Sequence, residues 1–202
     1  MAVPPPVDCG PIHPLWLRVT HWLNALAVTL MVLSGWRIYD SSPLFGFTFA
    51  APITLGGWLA GALQWHFAAM WLLAGNGLGY LLCNLGSGRL WRKFFPLTLG
   101  ALRADFRAAL HGRLGHDDPS RYNAVQRLAY LFVIGDTLLL VLSGLVLWKS
   151  VQFPLLRELL GGYEVARRVH FFAMAALVAF VGVHLTMVAL VPRSLRGMLR
   201  GR

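Results

Sequence analysis

Charge is the scarcest commodity in this chain: only 13% of its 202 residues are Asp, Glu, Lys or Arg, against about 25% in ordinary soluble domains. No charged side chain occurs between Asp40 and Arg89, and none between Arg168 and Arg193. A spanning helix needs only about 20 apolar residues, so each of these stretches is long enough to cross a bilayer. With 57% hydrophobic residues, the composition excludes a soluble domain of the usual kind. Cysteine is nearly absent as well. Cys9 and Cys83 stand alone, with no second cysteine two or three positions away and no histidine following. That excludes a disulfide framework, a CxxC metal site and a covalently attached c-type haem. Acidic residues number eight against 18 basic ones, a formal charge of +10. Nucleic-acid binding is set aside, because basic loops facing anionic lipid give the same imbalance in a chain this apolar. Residues 1–10 carry no basic residue and are rich in proline; without the positive start of a secretory signal, the first helix is expected to be retained as an anchor.

What is present organises into an all-α fold, an integral membrane four-helix bundle forming a single membrane-embedded domain over residues 1–202. The spans are expected at residues 15–36, 57–84, 128–148 and 166–191. The first connection holds Ser41, Ser42, Pro43 and Pro52, and the third holds Pro154, Gly161 and Gly162, all residues that fit short extramembrane loops. The long loop between helices 2 and 3 carries Arg89, Arg92, Lys93, Arg103, Arg107, Arg113, Arg121 and Arg127, so it is expected to be cytoplasmic. Arg18 and the tail arginines Arg193, Arg196, Arg200 and Arg202 join it, placing both termini on that side and 13 of the 18 basic residues with them. Within the loop, Leu99, Leu102, Phe106, Leu110 and Leu114 recur at helical spacing, suiting either a helix in the membrane interface or one packed on the bundle. Trp16 and Trp91 mark one boundary, and Trp36, Trp58 and Trp148 the other. Val-Leu-Ser-Gly occurs at residues 32–35 and again at 141–144; this hints at duplication, although four such residues also recur by chance.

Four of the seven histidines, His21, His66, His170 and His184, fall inside the expected spans. One buried histidine is most often a satisfied core residue, but four in lipid need a shared explanation, since ionisable side chains there face the bundle interior or a cofactor. His170 and His184 are 14 residues apart on one helix, which is close to four full turns and a rise of about 21 Å. Both rings therefore leave nearly the same face at opposite depths. His21 matches the cytoplasmic depth of His184, and His66 the outer depth of His170. Two such couples suit two haems b, each gripped between helices by a pair of axial imidazoles. Zinc is disfavoured because no intramembrane cysteine or glutamate lies beside them to complete a tetrahedron. Porphyrins also need room where they pass a helix, and Gly35 and Gly79 stand at suitable levels, although Gly75, Gly77, Gly144 and Gly182 show that close helix packing explains glycine equally well. Arg18, Arg37, Arg167 and Arg168 are candidate partners for haem propionates. Asp136, alone in the third span, suits a hydrogen bond to a neighbouring helix better than a proton relay.

Residues 13–22 (His13 to Trp22), 56–66 (Gly56 to His66) and 122–130 (Tyr122 to Tyr130), with the His170 and His184 pair, resemble the bacterial cytochrome b561 and nickel-iron hydrogenase b-subunit family over nearly the whole chain. The likeness is nearest to members serving molybdopterin oxidoreductases, including thiosulfate-reductase and formate-dehydrogenase types. It implies two haems b, held by His66 with His170 and by His21 with His184, and exchange with ubiquinone or menaquinone beside the cytoplasmic haem. Asn123 and Gln126 are then candidate quinone donors near the start of the third helix, a place where they also suit capping. The expected role is an electron-transfer subunit of the bacterial inner membrane. It would link the quinone pool to a periplasmic-side partner: a molybdopterin oxidoreductase, a nickel-iron hydrogenase or a c-type cytochrome. A stand-alone oxidoreductase taking electrons from a small donor such as superoxide is the alternative, and a histidine-lined proton channel a further rival.

Overall fold

The computed structural model describes residues 14–86, 100, 103, 107 and 124–201. Every regular element among them is helical: α1 (Leu15–Ser41), a 3-10 turn (Ala51–Ile53), α2 (Leu59–Gly86), α3 (Ala124–Trp148), α4 (Pro154–Leu159), α5 (Tyr163–Leu190) and α6 (Pro192–Arg200). Four helices, α1, α2, the Arg127–Trp148 part of α3, and α5, are long and apolar enough to cross a membrane. The expected interfacial helix around residues 99–114, like Trp91, falls largely outside the described residues.

The spans run longer than hydropathy alone predicts. α1 continues past Trp36 to Ser41, and α5 starts at Tyr163, ahead of Arg167 and Arg168. The expected first span stops before Arg37, whereas the helix carries that arginine on into the polar interface. At the start of α2 the reverse holds. Gly56 and Gly57 adopt φ of 107° and 71°, left-handed backbone that glycine alone takes readily, so the helix begins at Leu59 and not at Gly57. Two short helices arise where none was expected, one in the third connection and one in the tail. Pro154 and Pro192 each stand in the first turn of a helix, where the missing N–H costs nothing.

The chain groups into two compact units. The first holds α1, residues 49–83 and residues 186–200, including α6. Here α1 and α2 are antiparallel: Ser34 meets His66 at one end, and Asn76 donates to the Thr20 carbonyl at 2.8 Å and to Asn24 Oδ1 at 2.7 Å at the other. The loop before α2 docks on α1 through Leu55 N–H and the Leu33 carbonyl, 3.0 Å apart. Beside it Phe49 stacks on Trp36 with centroids 4.7 Å apart and donates its backbone N–H to Asp40 at 2.8 Å.

The second unit holds residues 42–48, α3, α4 and α5 as far as Leu185. Its α3 and α5 are antiparallel too, with Ser143 against His170 at one end and Phe132 against Phe180 at the other. α4 closes on Gly161, where φ is +79°; Gly161 N–H donates to the Glu158 carbonyl and Gly162 N–H to that of Arg157, the paired bonds of a Schellman stop. In both units the most deeply buried residues are mostly small: Ala27, Ser34, Ala62 and Ala69 in the first, and Ser143, Ala166 and Ala173, beside Val146, in the second. Large residues such as Trp71, Leu78, Phe172 and Val183 face outward. Close backbone approach inside, with bulk turned toward lipid, is how helices associate where the solvent is itself apolar.

Candidate functional site

Each of the four histidines lies at a matched distance from the end of its own helix. His66 and His170 each follow the first residue of α2 and α5 by seven positions, while His21 is six past the start of α1 and His184 six before the end of α5. Along α1, the residues touching His66 begin ten positions beyond His21 and include Ser34, some 15–20 Å at 1.5 Å per residue.

His66 is held through one nitrogen. Its Nδ1 lies 3.1 Å from the Met31 carbonyl and 3.1 Å from Ser34 Oγ. A carbonyl only accepts, so Nδ1 carries the proton. Ser34 agrees, because its hydroxyl donates to the Leu30 carbonyl of its own helix at 2.6 Å, leaving oxygen lone pairs for the ring. His170 repeats the arrangement: Nδ1 is 3.0 Å from Ser143 Oγ, and the Ser143 hydroxyl donates to the Leu139 carbonyl at 2.6 Å. In both rings the metal-binding lone pair is thereby placed on Nε2. The glycine after each serine makes room. A methyl on Gly35 would lie 3.5 Å from His66 Cε1, and one on Gly144 3.3 Å from His170 Cε1.

The other two histidines are set differently. His21 packs edge-on to Trp22 with centroids 5.5 Å apart, and His184 lies parallel to Phe180 at 6.3 Å. Near His21, Asn24 and Asn76 form the polar tie already described.

Of the arginines expected near propionates, Arg18 reaches the end of α6. Its Nε donates to the Met198 carbonyl at 3.1 Å and its Nη2 to that of Leu199, capping the end of α6. Arg37 lies 3.9 Å from Asp40, and Arg167 3.8 Å from Glu164; Arg168 is exposed at the same end of α5. Asp136 is buried, but its Oδ2 has no hydrogen-bond partner among the described residues, so the interhelical bond expected of it is not made there at that atom. Asn123 lies outside the described residues, and Gln126 falls in the first turn of α3. Among the described residues outside its own helix turn, Gly79 has nothing within 4 Å of where a side chain would begin. Sequence reasoning missed Ser34, Ser143 and the part played by Gly144; the signal was the shared Val-Leu-Ser-Gly.

Spanning helices that carry four histidines, two of them with Nε2 prepared as a ligand, form a donor set suited to haem iron. The model of the prokaryotic cytochrome b561 family matches residues 12–201, and the chain belongs to that family: it is a multi-pass membrane protein that binds haem b and transfers electrons. It is 70% identical over 190 residues to the Azospira oryzae (strain ATCC BAA-33 / DSM 13638 / PS) protein "Putative protein-methionine-sulfoxide reductase subunit YedZ1", covering 94% of this chain and 96% of that protein.

Proposed function

We propose that this chain carries electrons from membrane quinol to a catalytic subunit that reduces methionine sulfoxide in proteins. The observation that carries the reading is the matched placement of the histidines, His66 with His170 and His21 with His184, each couple equally deep in its helices. Haem b, held once by each couple, supplies a one-electron iron couple on either side of the bilayer. His21 and His184 serve the cytoplasmic side, as the positive charge of the loop between α2 and α3 and of the tail indicates. His66 and His170 serve the partner's side. Arg167 and Arg168, one turn before His170, are the cations available to propionates there.

The direction and the partner are supported by the relative's name, since a reductase subunit must receive electrons. Quinol gives up two electrons and two protons, and reduction of a sulfoxide to a thioether and water consumes two of each. Of the partners the family likeness suggests, this name favours a reductase over a hydrogenase. Ubiquinol or menaquinol is the donor, with Asn123 and Gln126 as its contacts near the start of α3.

The chain purified in mild detergent is expected to give a b-type reduced-minus-oxidised spectrum and two haems per polypeptide. Quinol should reduce them, and methionine sulfoxide should reoxidise them only when the copurifying catalytic subunit is present. His184→Ala should lose one haem and quinol reduction while His66 and His170 keep theirs. A variant retaining both haems, or a wild type holding one, would defeat the reading.

A further inference from the structure

The same serine–glycine step touches both His66 and His170, and its geometry is more than packing. Ser34 and Ser143 are fully buried, so water does not compete for their oxygens. Each commits its proton to a carbonyl one turn back at 2.6 Å. A serine that merely satisfied itself in an apolar helix would stop there. Instead each oxygen stands 3.0–3.1 Å from an imidazole Nδ1 on the facing helix, and the following residue is the glycine that lets ring carbon Cε1 approach the backbone. The construction occurs twice, across loops of different length, which a chance contact does not explain.

We infer that Ser34 and Ser143 are positioning residues: they fix His66 and His170 as Nδ1–H tautomers and, by accepting that hydrogen bond, hold the haem bound at Nε2 at a lower potential than unassisted imidazoles would. An acceptor on the distal nitrogen makes the ligating nitrogen a better electron donor, which favours ferric over ferrous iron. Met31 adds a carbonyl to the same task at His66. The inference rests on the proposed reading that these two histidines are haem ligands, and on their sharing one haem for its sharpest form.

The test compares Ser34→Ala, Ser143→Ala, the double variant and the corresponding threonine variants as purified holoproteins. The readouts are spectroelectrochemical midpoint potentials and the low-spin ferric electron paramagnetic resonance signals of each haem. Each alanine variant should raise the midpoint and displace the resonance of one haem, leaving the other untouched. The double variant should shift it further, and threonine, which keeps the hydroxyl, should restore it. Unmoved potentials and signals in a fully loaded Ser143→Ala protein would overturn the inference, as would haem loss that threonine does not repair. If the two serines shift different haems, the positioning role stands and the shared ligation fails. If His66→Ala and His170→Ala leave both haems bound, it is the ligand assignment that falls.

Discussion

In the first unit Val32 to Gly35 of α1 meets His66 of α2; in the second, the same four residues, Val141 to Gly144 of α3, meet His170 of α5. The serine-to-ring distances are 3.1 and 3.0 Å. The entry to each histidine helix also repeats, a glycine pair of positive φ followed by an aromatic: Gly56, Gly57 and Trp58, then Gly161, Gly162 and Tyr163. At the opposite ends the likeness breaks. His21 lies 13 residues before Ser34, and the residue 13 before Ser143 is Tyr130; His184 lies 14 after His170, and the residue 14 after His66 is Tyr80. One unit thus carries its second histidine on its leading helix and the other on its trailing helix. Two rings are seated by a repeated local device, while the other two pack against the aromatic neighbours Trp22 and Phe180.

The largest effect is expected from removing the repeated seats themselves. His66→Ala and His170→Ala should each cut the haem-to-protein ratio by half, and the double variant should cut it no further; a fall to zero in the double would separate the two units' histidines onto different haems. Next is Gly144→Ala, whose new methyl meets His170 Cε1 at 3.3 Å, against 3.5 Å for Gly35→Ala at His66. Overpacking of this kind typically costs about 1–3 kcal/mol, so Gly144→Ala should disturb haem content and resonance line shape more than Gly35→Ala, and the reverse order would mean that ring clearance is not what these glycines supply. Smaller again is Asn76→Ala, which removes the bonds to Thr20 and Asn24. Interhelical polar contacts in membranes average about 0.6 kcal/mol, so thermal unfolding in detergent should move down slightly with the haem spectrum unchanged. Arg18→Gln should do least, raising proteolysis within α6 while haem content stays constant.

The four spans and the four histidines were legible because both signals are one-dimensional: long apolar runs, and ionisable rings where lipid penalises them. Helix ends were less so. Arg37 reads as a boundary although an arginine reaches the interface from within a helix, and the expected fourth span ends at Val191, just ahead of the Pro192 that opens α6. Ser34 and Ser143 stayed hidden because serine is an ordinary small residue in spanning helices, and its contact reaches 32 residues ahead in one unit and 27 in the other, a spacing no periodicity reveals. Gly35 was singled out by its level and Gly144 was grouped with packing glycines, yet the two do the same work. Arg18 was a propionate candidate by position; its carbonyl partners lie 180 and 181 residues away, beyond any local pattern.

That last separation bears on how the protein is made. Chains are synthesised from the N-terminus and their early parts settle first, so α1 can be inserted, and His66 seated against Ser34, while α6 is still inside the ribosome. The guanidinium of Arg18 obtains its two carbonyls only after the residues 180 and 181 positions further on have been made. This contact of the first unit therefore forms late in synthesis, and a chain cut short before Met198 leaves Arg18 without these two acceptors.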